Sequence, residues 1–349
     1  MKRIWPRGAL WLGVAVVVAV ALTGVFTSVQ SADTLDIYWI DVEGGASTLI
    51  VTPGGQSVLM DAGFDGFNDR DASRIARVVR EEAGLKRLDH VLTSHFHPDH
   101  VGGLAALSRR VEIGSFIDHG ENVEKSPEGR AGWDRYVTLA GNRRRTVKPG
   151  EHLSFDGAEL IIVAAHSQFI AKPLSDAAAN PLCDSFTRQP EDTGENGKSL
   201  GYLLRAGRFE FVNLGDLSWN FQHQLACPVN LLGKVDVFQV THHGVRDDVL
   251  PQQMWAMAPT VAVMNNGPTK GAGAVAVETV LRSPGLEDLW SLHRALGNDA
   301  AHNAQEPLTA NLGETARCEG AWIRARVTDG GSYVVTNNRN GRSKTYRIK

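Results

Sequence analysis

Three histidines and an aspartate fall within six residues in the run Thr93-Ser94-His95-Phe96-His97-Pro98-Asp99-His100-Val101-Gly102-Gly103. Packing has no use for imidazole at that density. Imidazole and carboxylate together are the donors that suit zinc, iron or manganese. The run directly follows a strand-like stretch, Leu88 to Thr93. On a loop leaving a strand, His95 and His97 turn to one side, and Asp99 and His100 face a second point a few ångströms away. A divalent ion held there lowers the pKa of bound water toward neutrality and polarises a carbonyl or phosphoryl oxygen. That is the chemistry of ester-type hydrolysis.

The elements that must position these residues alternate along the chain. Leu35 to Ile40, Ser47 to Thr52 and Ser57 to Met60 read as a strand meander with turns at Asp41 to Gly45 and Pro53 to Gly55. Arg70 to Glu82 has helical spacing and stops at Gly84. A helix is expected from Gly102 to Leu107 and a strand from Val111 to Asp118. Glu121 to Gly132 reads as a polar surface loop. Leu160 to Ala164 is a buried strand, and Pro173 to Lys198 a long loop of the kind that shapes binding sites. Leu200 to Arg205 and Phe209 to Leu214 form a hairpin. Val235 to Thr241 and Thr260 to Met264 are strands, Val275 to Arg282 a helix, and Trp322 to Val327 pairs with Ser332 to Thr336 through Asp329-Gly330-Gly331. Strand runs with helices in both halves predict an α/β (α+β) fold of two helix-flanked sheets, one domain over residues 33–349.

Composition narrows the partners. The 349 residues are 42% hydrophobic and 21% charged, which excludes a disordered chain or a coiled coil. Net charge is −3, so no basic footprint for long nucleic acid exists. Residues 1–32 carry Lys2, Arg3 and Arg7 with an apolar run from Ala9 to Val25. This predicts a signal peptide or N-terminal membrane anchor, and an exported, periplasmic or extracellular, body. Export permits a disulfide, and Cys183 with Cys227 is the candidate pair, Cys318 being left over. His223, His293 and His302 read as surface or structural, and Trp219, Trp255, Trp290 and Trp322 as core.

The metal run resembles the metallo-β-lactamase superfamily, whose signature is His-x-His-x-Asp-His. Asp61-Ala62-Gly63, Asn213-Leu214-Gly215-Asp216 and Thr241-His242-His243-Gly244 each end a strand and are similar to its other motifs. The resemblance implies a four-layer αββα sandwich and two divalent metal ions, zinc foremost, with manganese or iron as alternatives. It implies that Asp61 braces the metal loop, that Asp216 bridges the metals, and that His95, His97, Asp99, His100 and one histidine of the 242–243 pair, His243 by preference, are ligands. His166 stands where the superfamily's third-motif histidine falls, with His119 as rival. The opening Ile40-Asp41-Val42-Glu43-Gly44-Gly45 and the order Asn196-x-x-Ser199-Leu200 are similar to DNA-internalisation competence proteins and bacterial phosphorylcholine esterases. Glu43 departs from the Gln of that opening. The subgroup implies phosphodiester chemistry on a small or surface-borne substrate, with Asp99, His242 and Asn196 as catalytic residues. Asn265-Asn266-Gly267-Pro268 follows a strand and reads as a turn, the alternative being a source of amide donors near the site. Asp216 in place of Cys argues against β-lactams, and His97 in place of Glu against an iron redox enzyme. Lactone or thioester hydrolysis, and a non-catalytic metal-binding module, are the alternatives.

Overall fold

Leu35, Ile37 and Trp39 point one way from the first strand and Tyr38 and Ile40 the other, and all five are buried. A strand apolar on both faces must be covered on both, and the rest of the chain supplies the cover. The computed structural model describes residues 1–2, 34–175, 179–245, 248–313, 318–328 and 330–349. The chain divides into units Met1–Gln30 and Ser31–Lys349, and the fold described is that of the second. The N-terminal signal or anchor segment and Asp329 lie outside the described residues. Among the described residues no helix is long and apolar enough to cross a membrane.

The first half lays down β1 (Leu35–Trp39), β2 (Thr48–Val51), β3 (Ser57–Met60), β4 (Arg87–Leu92), β5 (Glu112–Asp118) and β6 (Arg144–Thr146) side by side in one sheet. A second sheet takes β7 (His152–Phe155), β8 (Ala158–Ala165), β9 (Gln168–Phe169), β10 (Gly201–Ala206), β11 (Phe209–Asn213), β12 (Val237–Gln239), β13 (Val261–Met264), β14 (Asp288–His293) and β15 (Thr309–Asn311). The chain then returns to the first sheet with β16 (Ile323–Thr328), β17 (Ser332–Asn337) and β18 (Ser343–Arg347). There β16 pairs antiparallel with β1, Ile37 opposite Ala325.

Three apolar layers hold the sandwich together. The middle one joins Trp39, Ile50 and Ile323 of the first sheet to Tyr202, Phe211 and Trp290 of the second. Outside the first sheet lie α1 (Arg70–Arg77), α2 (Pro98–Val101), α3 (Leu104–Ser108) and α4 (Pro127–Ala140), with Ile75, Leu107 and Tyr136 buried on it. Outside the second lie α5 (Trp219–Ala226), α6 (Pro251–Met257) and α7 (Ala274–Leu281), with Leu225, Met254 and Val280 buried. The fold is the expected mixed α/β sandwich of two sheets between helical layers.

Several local expectations need correcting. The stretch 121–132 is a loop only to Ser126, whose hydroxyl accepts the Gly129 amide at 3.1 Å and caps α4. Pro127 fills the first helical position, where its missing N–H costs nothing. The helix at 70–82 is α-helical to Arg77 and continues as a wider π turn over Val78–Glu82. Trp290 and Trp322 are core, but Trp219 and Trp255 are only partly buried. Cys183 and Cys227 form a disulfide, and Cys318 is unbonded.

Candidate metal centre

Each motif leaves the carboxyl end of a strand. Asp61 follows β3, His95 to His100 follow β4, Asp216 follows β11 and His243 follows β12. Neighbouring strands deliver these loops to one end of the sandwich, where open α/β sheets bind ligands. The two halves touch closely there. A Cβ on Gly215, whose φ is +57°, would lie 2.8 Å from Ser94 Cβ, so only glycine lets the Asp216 turn reach the histidine loop.

Ligand atoms of Asp99, His100, Asp216 and His243 gather within 4.8 Å of one another, and all four residues are buried. Oδ2 of Asp216 is the hub: His100 Nε2 lies at 3.1 Å, His243 Nε2 at 3.4 Å, His242 Nε2 at 3.6 Å and His95 Nε2 at 3.9 Å. Asp99 Oδ2 is 3.3 Å from Nε2 of both His100 and His243. His95 Nε2 and His97 Nδ1 are 3.0 Å apart, and His97 is partly exposed near Glu124.

The imidazoles are oriented from behind. His100 Nδ1 is 2.8 Å from Asp61 Oδ2, and Asp61 also accepts the Ser94 amide and hydroxyl, each at 2.7 Å. His243 Nδ1 donates to the Asn265 carbonyl at 3.2 Å. Its buried Nε2 has no hydrogen-bond partner and faces two carboxylates. A ring pinned at one nitrogen and free at the other is what a metal ligand requires. The donor set of two carboxylates and two braced imidazoles therefore fits a divalent cation. Burial, with His100 beside it, pushes His95 well below the ordinary imidazole range. Burial alone would raise the Asp99 and Asp216 carboxyls, but the facing imidazoles, His100 first, hold both well below the carboxylate range.

His242 is turned differently. Its Nδ1 meets Asp248 and its Nε2 is 3.3 Å from Asn196 Nδ2. It opens on a cavity of about 450 Å³ lined by Gln189, Pro190, Asp192, Trp219 and Asp248. His242 and His243 both hold left-handed backbone conformations, φ 51° and 54°, as does His166 at 52°. Such strain in non-glycine residues clusters at functional sites. His166 is not among the four gathered residues. Its ring stacks on His119 with centroids 5.6 Å apart, and His119 Nε2 is 3.1 Å from the buried Glu195 carboxylate.

Residues 40–168 match the family model for the "Metallo-beta-lactamase superfamily". Two curated proteins are similar over 145 residues, 40% of this chain. They are a UPF0173 metal-dependent hydrolase of Anaeromyxobacter sp. (strain K), 29% identical, and one of Anaeromyxobacter dehalogenans, 26% identical. The chain spans about half the length of these relatives, 47% in each. The metallo-beta-lactamase fold protein YhfI from Bacillus subtilis superposes with a TM-score of 0.45 at 13% identity, covering 74% of this chain and 96% of that one.

Three neighbours of the candidate site carry no sequence motif. Asp248 orients His242, and Lys270 places its ammonium on Asp99 Oδ2. Glu195 accepts the amide of Phe96, between His95 and His97, at 2.9 Å. Glu195 adjoins Asn196 in the long loop, and that adjacency was the one available signal for it. Asn266 is a buried turn residue whose side chain bonds the Gly267 and His293 carbonyls. His293 is buried and paired with Asp41 at 2.7 Å, a structural role.

Proposed function

We propose that the protein is a metal-dependent hydrolase of phosphodiester type, acting on a small or surface-borne substrate outside the cytoplasm. The observation that carries this reading is the Asp216 carboxylate, one buried oxygen faced by four imidazoles between 3.1 and 3.9 Å. A carboxylate so placed suits the bridge of a two-metal site, an arrangement adapted to in-line displacement at phosphorus.

Asp99, His100, Asp216 and His243 would hold one ion, and His95 and His97 with Asp216 the other. Divalent ions there supply a nucleophilic water at neutral pH and polarise the substrate oxygen. The chain's own groups do the rest. Asp61 fixes the His100 ring, and Asn265 fixes the His243 ring. Burial and the neighbouring His100 keep His95 neutral, the form that ligates. His242, held by Asp248, and Asn196 present N–H groups toward a phosphoryl oxygen from the Asp216 side. The cavity beside His242 has room for the remainder of a compact substrate.

Support also comes from the curated relatives' description as metal-dependent hydrolases, and from the competence- and esterase-like pattern of Ile40–Gly45 and Asn196-x-x-Ser199. The test is a hydrolysis screen of zinc- or manganese-loaded protein against bis-p-nitrophenyl phosphate, lactones and β-lactams. Turnover of the diester is expected. Robust lactone turnover with no diester turnover in the same preparation would reject the reading.

A further inference from the structure

We propose that Lys270 is a specificity-determining residue of the metal centre, its ammonium holding a negatively charged group of the substrate on the Asp99 side. The proposal rests on the phosphodiester reading, and it names the residue that tells a charged scissile group from a neutral ester.

Lys270 lies between β13 and α7, on the turn that also supports His243. Gly271 has φ +83°, and a Cβ there would lie 2.4 Å from the His243 carbonyl oxygen. The Ala272 amide donates to that carbonyl at 2.8 Å, and the Gly273 amide to Gly244 O at 2.7 Å. Behind the turn, Asn266 Nδ2 donates to His293 O at 2.9 Å, and Ser291 Oγ donates to Asn266 Oδ1 at 2.6 Å. The backbone under Lys270 is thus fixed to the ligand-bearing turn, so the lysine is delivered to the site rather than left to wander over the surface.

Its ammonium meets Asp99 Oδ2 and lies 5.4 Å from the Phe64 ring centroid. Other nearby carboxylates are already paired. Glu43 is held by Arg70 at 3.0 Å and Arg74 at 2.9 Å, and Asp41 by Arg74 at 2.8 Å and His293 at 2.7 Å. Asp99 is therefore claimed twice, by Lys270 and by the metal centre. Once Asp99 serves as a ligand, the ammonium stays at the rim with an aromatic face on one side and no full counter-charge. An anionic oxygen is the partner that restores balance, through a charge-assisted hydrogen bond. Lys270 marks the Asp99 flank, and His242 with Asn196 marks the Asp216 flank. A phosphodiester lying between them finds donors on both sides. A neutral ester leaves the Lys270 charge uncompensated.

The test uses zinc-loaded full-length protein as wild type, Lys270→Met and Lys270→Arg. Zinc per chain, inorganic phosphate affinity by calorimetry, and kcat/KM for bis-p-nitrophenyl phosphate and its neutral methyl triester are measured. Lys270→Met should keep its zinc, bind phosphate about tenfold more weakly, and lower the diester-to-triester ratio of kcat/KM about tenfold, the scale of one charge-assisted contact. Lys270→Arg should restore most of both. Equal phosphate binding by wild type and Lys270→Met, an unchanged ratio, or zinc loss from Lys270→Met would overturn the proposal. If neither phosphorus ester is turned over but phosphate binding still depends on Lys270, the anion site stands and the phosphodiester reading falls. If the diester is turned over without dependence on Lys270, the reading stands and this proposal falls.

Discussion

Neighbouring histidines 242 and 243 have the same side chain and opposite surroundings. His243 is fully buried, pinned at Nδ1 by a backbone carbonyl, and aims an unpartnered Nε2 at Asp99 and Asp216. His242 is held by Asp248 and looks onto Asn196 and the cavity. Burial lowers the His242 pKa, but Asp216 and Asp248 outweigh it and raise the group above the usual imidazole value. A ring held at Nδ1 by Asp248 and turned toward Asn196 and the cavity suits contact with substrate rather than metal ligation. His243→Ala should therefore lose bound metal, whereas His242→Ala should keep it and lose rate. Asp216→Asn should keep the fold, release metal and cost at least about 100-fold in rate, the scale for disturbing a ligand or an essential electrostatic group. Metal analysis beside steady-state kinetics separates the three variants, and metal loss from His242→Ala with retention in His243→Ala would reverse the assignment. The histidine run was legible in the sequence because its density has no packing explanation. The difference between His242 and His243 was not, since it depends on Asp248 and on the Asn265 carbonyl, which only the folded backbone brings close.

Loops, at the next scale, carry the site, and strands aim them. The strand ends before Asp61, His95, Asp216 and His243 could be read from apolar runs stopping at polar turns. The brace under the histidine loop could not, because it comes from a segment about a hundred positions away that shows no periodicity. Glu195 is fully buried and accepts from Phe96 N at 2.9 Å, Val123 N at 2.7 Å and His119 Nε2 at 3.1 Å. It thereby ties the β4 loop, the β5 loop and the long 173–198 loop together. Glu195→Ala leaves two buried donors and one partly buried donor without an acceptor and should cost about 3–5 kcal/mol in urea unfolding. Glu195→Gln keeps the shape and one acceptor oxygen, and should cost less. Burial by itself would raise the Glu195 pKa, but the hydrogen bond from His119 and the two backbone amides bring it below the usual 4.5. A depressed carboxyl pKa stabilises the fold above the unfolded value and loses that contribution as pH falls through the folded one. The stability gap between wild type and Glu195→Gln should accordingly shrink on acidification below about pH 4.5, the unfolded carboxyl range. A gap that stays constant down to pH 3 would show that the charge contributes nothing.

For the whole molecule, the candidate metal centre sits where the two sheets meet. His95, Asp99 and His100 come from the first sheet, and Asp216 and His243 from the second. Below it, Trp39 Nε1 and Thr48 Oγ1 of the first sheet donate to Gln239 Oε1 of the second at 3.0 and 2.7 Å. The sandwich itself was legible from strand runs and the superfamily motifs. The return of β16 to β1 was not, because a pairing between residues 35–39 and 323–327 leaves no local pattern. Since both sheets contribute candidate ligands, an ion bound there belongs to the native state alone, and unfolding scatters its ligands. Binding to the native state stabilises it by RT ln(1 + [L]/Kd), about 4 kcal/mol at a free metal concentration a thousandfold above Kd. With an unfolding entropy of about 2.1 cal/mol/K per residue, that corresponds to roughly 6 °C in Tm for a body the size of Ser31–Lys349. Thermal unfolding followed by circular dichroism, in zinc and again after exhaustive chelation, should show a fall of about that size. Asp216→Asn should show a much smaller difference between the two conditions, because the hub oxygen that both sheets share has been weakened as a ligand. An unchanged midpoint in protein shown by metal analysis to have lost its zinc would mean that the cluster does not couple the sheets through an ion, whatever its part in catalysis.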